Sequence, residues 1–295
     1  MRVVLLGAGA SYGSGKVHPV PPPLGAQLFP ALEATGGVFA TLSEDVKEEF
    51  RRDFEAGMGH YFEDSKRNVM QFQRELAAYF AQFEIGENNT YVRMLKTLRN
   101  RRYIYATLNY DLLLEQAGDK AGFRSCYYGL EPNTHRLNIL KPHGSCNFWP
   151  NMLGQLKGVK MWGAVKADIE APIKVLTREE TLRACETEDS ISPSIAMYAK
   201  GKGVMVSPTY VREQQDFFRK AVNEATRVYI SGVRVVSEDS HIWDALAQSQ
   251  AKITYFGSDR SGEEFHAWVE SERRAKASFS KATFEECIDK IASLA

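Results

Sequence analysis

Paired cysteines are missing from this chain. It has four cysteines, Cys126, Cys146, Cys185 and Cys287, scattered and without a Cys-x-x-Cys. That argues against a structural zinc site of the usual spacing and for a reduced, cytoplasmic protein. None of the six histidines stands in a His-Glu-x-x-His pair, which removes the commonest metalloprotease reading. Neither sign of charge dominates: 37 Lys plus Arg face 37 Asp plus Glu, so no basic stripe points to nucleic acid as a partner. No apolar run reaches the length that crosses a bilayer. No signal peptide is expected either, because a glycine turn follows the first apolar run at once. Repeats and low-complexity tracts are absent. At 295 residues the chain can bury a sizeable core, as one domain or as one domain with insertions.

What is present begins at Val3–Leu6, a short apolar run suited to a strand buried on both faces of a parallel sheet. Gly7-Ala8-Gly9-Ala10-Ser11 follows, small enough to turn sharply and to bring bare backbone close to a ligand. A helix after this turn would point unpaired N–H groups at a phosphate. The turn departs from the dehydrogenase fingerprint: Tyr12 stands where the third glycine belongs, and Gly13 comes one later. No acidic residue ends a second strand about twenty positions on. A proline-rich run through Pro19, Pro21, Pro22 and Pro23 comes instead, a loop that folds over a nucleotide or merely connects. Gly9-Ala10-Ser11-Tyr12-Gly13 also matches the nucleophile elbow of serine hydrolases, with Asp111 and His143 following in the order a triad needs. Only six residues precede this turn, however, and an elbow normally has earlier strands beside it.

Helical signals fill the next stretch. The pattern predicts helices over 24–34 with a break or restart at Pro30, over 43–54 with Ser43 as N-cap, over 63–83, and over 91–98. Residues 24–99 read as an all-helical insertion and 147–200 as a second, mixed one containing a strand at 172–176. Strand character returns at 102–107, 136–140, 203–207, 227–231 and 252–256, with helices over 109–118 (closed by Gly118), 211–225, 240–249 and 262–276. Alternation of this kind predicts an α/β fold, a Rossmann-like, doubly wound and mostly parallel sheet, in a single domain.

Ligands of open α/β sheets bind beyond the carboxyl ends of the strands. Four predicted strands end in polar or glycine-rich turns: Gly7–Ser11, Thr107-Leu-Asn-Tyr-Asp111, Lys141-Pro-His-Gly-Ser145 and Ser231-Gly232-Val233. Each has an ordinary explanation by itself. Asn109 and Asp111 suit helix caps, His143 suits a turn, and Ser231-Gly232 suits a plain strand-to-helix connection.

Together these motifs resemble the sirtuin-like superfamily, and more closely its bacterial branch of NAD-consuming proteins, many linked to phage defence. The resemblance spans Val3 to about Asp259 and rests on these turns alone. It implies that Gly7, Ala8, Gly9 and Ser11 cradle the diphosphate of NAD, the substrate, and that Ser231 and Gly232 meet its adenosine side. It implies that Asn109 holds the nicotinamide-side ribose and a water, that Asp111 helps bind the carboxamide, and that His143 is the general base. Such chemistry needs no metal, since an imidazole titrating near neutrality can take the proton.

The paired Cys-x-x-Cys motifs of the zinc-supported deacylases are missing, as is their Asp-Phe-Arg segment. Both absences count against deacylation and leave an NAD glycohydrolase, releasing nicotinamide and ADP-ribose or a cyclised product, or an ADP-ribosyl transferase. Val233–Val236 replaces the polar residues expected after Gly232. Asp239 and His241 follow, readable as polar contacts or as a helix cap and a surface histidine. A non-catalytic module that binds NAD or ADP-ribose is a further reading, as is a serine hydrolase acting through Ser11. The resemblance also implies a homo-oligomer or an activating partner protein.

Overall fold

Arg2–Leu6 forms the strand that its apolar run predicts, β1, and it becomes the middle of the main sheet. In the computed structural model, residues 1–63, 68–99, 103–127, 135–152, 158–162, 166–196, 206–273 and 275–294 are described. Six further strands join β1: β2 (Tyr103–Thr107), β3 (Arg124–Cys126), β4 (Arg136–Leu140), β5 (Arg227–Ser231), β6 (Lys252–Gly257) and β7 (Ala277–Lys281). Their order across the sheet is β7-β6-β5-β1-β2-β4-β3, and every pairing is parallel. The succession runs one way from β1 through β2 to β4 and β3, and the other way through β5, β6 and β7. The boundary between β1 and β5 is therefore the topological switch point, and Rossmann-like α/β sheets hold their ligands beyond the strand ends at such points.

Successive strand residues face opposite sides, so the apolar strands feed two cores. Val3, Leu5, Ile104, Ala106, Val228, Ile230 and Ile253 pack on one side with residues of helices Pro208–Glu224, Ser240–Gln248 and Asp259–Glu272. Val4, Leu6, Tyr105, Ile139 and Tyr229 pack on the other, in one cluster with Phe29, Phe50, Phe72, Leu76 and Tyr91. Among the described residues, stretch 24–99 contributes six helices to that second side, ending with Val69–Ala81 and Thr90–Thr97. It is not wholly helical: Glu84–Ile85 pairs antiparallel with Val17–His18 after the glycine turn. Among the described residues, no helix is long and apolar enough to cross a membrane.

Several boundaries differ from expectation for identifiable reasons. Helix Gly25–Glu33 runs through Pro30 instead of breaking there. Where one helix was expected over 63–83, the described helix starts at Val69, because the Asn68 side chain caps it on the Gln71 N–H; residues 64–67 of that expectation lie outside the described residues. The helix expected over 109–118 is Leu113–Lys120. Asp111 Oδ1 accepts the Leu113 N–H, so the chain enters the helix after the polar turn. The left-handed Gly122, with φ of 79°, follows its end in place of Gly118. Strand 203–207 falls largely outside the described residues, although Val206 bridges Ile169. The strand expected at 172–176 is Ile173–Val175, paired with Phe148–Pro150 apart from the main sheet.

At the switch point two turns touch backbone to backbone. Gly7 N–H donates to the Ser231 carbonyl at 3.1 Å and Gly9 N–H to the Gly232 carbonyl at 3.0 Å. A Cβ on Gly9 would lie 2.8 Å from Gly232 Cα, and one on Gly232 would collide with the Ala10 nitrogen. Gly232 also has φ of 69°, a left-handed conformation that costs other residues about 1–3 kcal/mol. Gly232→Ala is thus expected to destabilise the protein by at least that amount, measured as a lowered urea midpoint. An unchanged midpoint would show that the two turns part without cost.

Candidate functional site

The four predicted turns lie at the carboxyl ends of neighbouring strands β5, β1, β2 and β4. Three of them form one hydrogen-bonded group. Asn109, buried after β2, donates from Nδ2 to the Gly7 carbonyl at 2.9 Å and to Ser11 Oγ at 2.8 Å. Ser11 lies on the short helix Ala8–Tyr12, and its hydroxyl also meets the Tyr91 hydroxyl at 3.0 Å. Burial holds the Tyr91 phenol well above its ordinary pKa, so it stays neutral. The third turn, Ser231-Gly232, enters through its backbone contacts with Gly7 and Gly9.

Those contacts revise what the glycines do. The N–H groups of Gly7 and Gly9, expected at a diphosphate, are committed to the carbonyls of Ser231 and Gly232. The need for glycine here is met by the packing of one turn on the other. Ala8 is the exposed residue of the turn. An elbow nucleophile would occupy the apex between strand and helix. Gly7 holds the apex, and Ser11 lies within the helix, bonded to Asn109 and Tyr91. This geometry does not favour the serine-hydrolase reading.

The turn after β4 is tied in by Lys141, a residue the sequence reading left without a role. Its ammonium is fully buried and donates to the Asp111 carbonyl at 2.7 Å and to Ser145 Oγ at 2.8 Å. It also pairs with Glu115 Oε1 at 2.9 Å, and Tyr127 donates to the same carboxylate oxygen at 3.1 Å. A charge this deep is tolerable only when paired and hydrogen-bonded. Burial pushes the Asp111 carboxyl above its ordinary value, while the Lys141 ammonium, the Leu113 N–H and the Ser11 hydroxyl pull it back.

His143 is fully buried and points to a different set of partners. Its Nε2 lies 3.1 Å from Nε2 of His241 and 3.3 Å from Asp239 Oδ1. Asp239 occupies the N-cap position of helix Ser240–Gln248, yet its side chain makes no cap bond there. The His143 carbonyl accepts the Ala196 N–H at 2.9 Å, and Tyr110 donates to the Ala196 carbonyl at 2.8 Å. Gln215 donates to the Pro142 carbonyl at 3.1 Å. The backbone of the turn that carries the imidazole is therefore held from both sides. Gly7, Ser11, Asn109, Asp111, Ser231 and Gly232 form one cluster, and His143 joins it through Lys141 of its own turn and through the segment from Ser231 to His241. Tyr91 and Glu115 sit on helices where they read as an ordinary core aromatic and a surface charge, so no sequence signal marked them.

Lys141→Met leaves the buried Glu115 carboxylate without its cation and is expected to cost about 3–5 kcal/mol. Adding Glu115→Leu should recover part of the loss; equal urea midpoints for the single and double variants would refute the pairing. For Asp111, the folded state holds the proton more tightly than the unfolded state. Its contribution to stability is then fully present below the ordinary aspartate range and is lost as pH rises through the elevated folded value. Asp111→Asn should flatten that part of the curve of stability against pH, and an unaltered slope would contradict the assignment.

No family model matches the chain, and no curated protein matches it. Among solved structures, a mutant Sir2 homologue in complex with 2'-O-acetyl ADP ribose is similar at 15% identity and a TM-score of 0.45, over 99% of this chain and 90% of that one. A Sir2 homologue–NAD complex is similar at 17% identity and a TM-score of 0.44, over 99% and 88% of the two chains. At these identities and scores the likeness assigns no role to any residue.

Proposed function

We propose that this chain binds NAD at the switch point and cleaves the bond between nicotinamide and its ribose, giving nicotinamide and ADP-ribose or a cyclised product. The observation that supports this reading best is the meeting of the four strand-end turns, with the Asn109 amide anchored on the glycine turn at 2.9 Å. Cleavage expels neutral nicotinamide and leaves an oxocarbenium-like sugar, so the site has to fix the sugar and aim a nucleophile. Asn109 Nδ2 is spent on Gly7 and Ser11; Oδ1 is the atom this reading assigns to a ribose hydroxyl or the attacking water. Asp111 is assigned to the nicotinamide carboxamide. Ala8 and Ser11 are assigned to the diphosphate side, and Ser231 and Gly232 to the adenosine side. The Gly7 and Gly9 backbones shape that wall of the crevice.

Water adds to the anomeric carbon as the glycosidic bond breaks, and His143 takes the proton that the water loses. Base assistance of this kind contributes ~10²–10⁴-fold, and positioning supplies much of the remainder. Consumption of NAD in an antiphage or abortive-infection response is the physiological role that the sequence resemblance supports.

The test is nicotinamide release from NAD by the wild-type protein, Asn109→Ala and His143→Ala. Losses of ~10²-fold or more in His143→Ala are expected for a general base. Equal rates in all three would remove both roles. Binding of NAD by calorimetry without release of nicotinamide would favour a sensor that holds the dinucleotide intact.

A further inference from the structure

His143 converges with Asp239 and His241 in a way that proton transfer alone does not require. The three come from separate places: the turn after β4, the short helical turn Ser237–Asp239 after β5, and the first turn of helix Ser240–Gln248. Their donor atoms nevertheless all lie within 4.8 Å of one another. The His143 and His241 Nε2 atoms are 3.1 Å apart, and Asp239 Oδ1 is 3.3 Å from His143 Nε2. A tetrahedral ion bonded to imidazole nitrogen and carboxylate oxygen at about 2.0–2.1 Å holds its ligands roughly 3.3 Å apart. The two spacings from His143 match that arrangement, and the Asp239 and His241 donors lie within 4.8 Å of each other.

The chemistry of the donors agrees. Two imidazoles that meet through Nε2 at 3.1 Å share one proton as donor and acceptor, and a metal ion bound between them takes the place of that proton. Asp239 is 3% exposed, so its carboxylate brings a negative charge to a site screened from water. Two neutral imidazoles and one carboxylate leave a net negative site for a divalent ion. Nitrogen-rich ligands with one carboxylate favour zinc and its neighbours over calcium or magnesium.

We infer that His143, Asp239 and His241 form a binding site for a zinc-class divalent cation. The ion occupies the lone pair of His143 Nε2. Where the NAD-cleaving reading holds, its consequence is reversible inhibition, because a ligated imidazole cannot accept the proton lost by water. The site itself does not depend on that reading.

Zinc binding to the full chain is measured by competition with a chromophoric chelator, for the wild-type protein, Asp239→Asn and His241→Ala. Folding of each variant is checked by circular dichroism. The wild type is expected to take up one equivalent that both variants hold at least ~10–100-fold more weakly, and zinc should raise the melting temperature of the wild type alone. Cobalt as a replacement should give visible absorption bands of tetrahedral intensity in the wild type and lose them in Asp239→Asn. No uptake by the wild type, or equal uptake by all three proteins, overturns the site. Zinc should also slow nicotinamide release, and a chelator should restore it; tight zinc binding with undiminished release overturns the inhibitory consequence. A metal-free protein that binds zinc but never cleaves NAD would sink the functional reading and leave the ion site standing.

Discussion

The architecture depends on one close approach, that of the Gly7-Ala8-Gly9 backbone to Ser231 and Gly232. Two N–H to carbonyl bonds near 3 Å carry the β1–β5 ladder past the ends of the strands. That extension is possible only because no Cβ stands between the turns. Sheet pairing sets the level of the strand ends, and this contact sets where the loops go next. Asn109 then reads the position of the glycine turn through its amide, and the chain from Gly232 onward is delivered to Asp239 and His241.

Electrostatics completes the enclosure. Lys141 sits where the turns after β2 and β4 meet, and its charge is answered by Glu115 from helix Leu113–Lys120. Three acceptors around a buried ammonium hold the two turns at a fixed distance. The cation therefore belongs to the frame that joins the two turns.

Much of the fold was legible where burial dominates. Strands 136–140, 227–231 and 252–257 are apolar runs covered on both sides, and such runs announce themselves. Edge strands β3 and β7 carry Arg124-Ser-Cys126 and Ala277-Ser-Phe-Ser-Lys281, whose polar character reflects partial exposure, and nothing in those segments marked them. The strand pairs at 17–18 with 84–85 and at 148–150 with 173–175 arise from tertiary packing of distant segments. For the site, the rule that ligands sit beyond strand carboxyl ends brought Gly7, Ser11, Asn109 and Ser231 into one neighbourhood. The same rule could not say that the glycine N–H groups would be consumed within the protein. Asp239 looked equally like a helix cap, and only the three-dimensional path of its side chain separates the two roles.

The long separation in sequence between β1 and β5 has a kinetic meaning. Arg2 pairs with Arg227, and Thr226 closes on the Met1 carbonyl across 225 residues. Pairings so remote in sequence demand loop closure before they return any stabilisation, which slows folding. During synthesis, β1 would stand with one flank bare until the region around β5 leaves the ribosome, and bare strand edges invite aggregation. The helices of 24–99 share a core with one face of β1, so that face, unlike the edge, can be covered before β5 emerges.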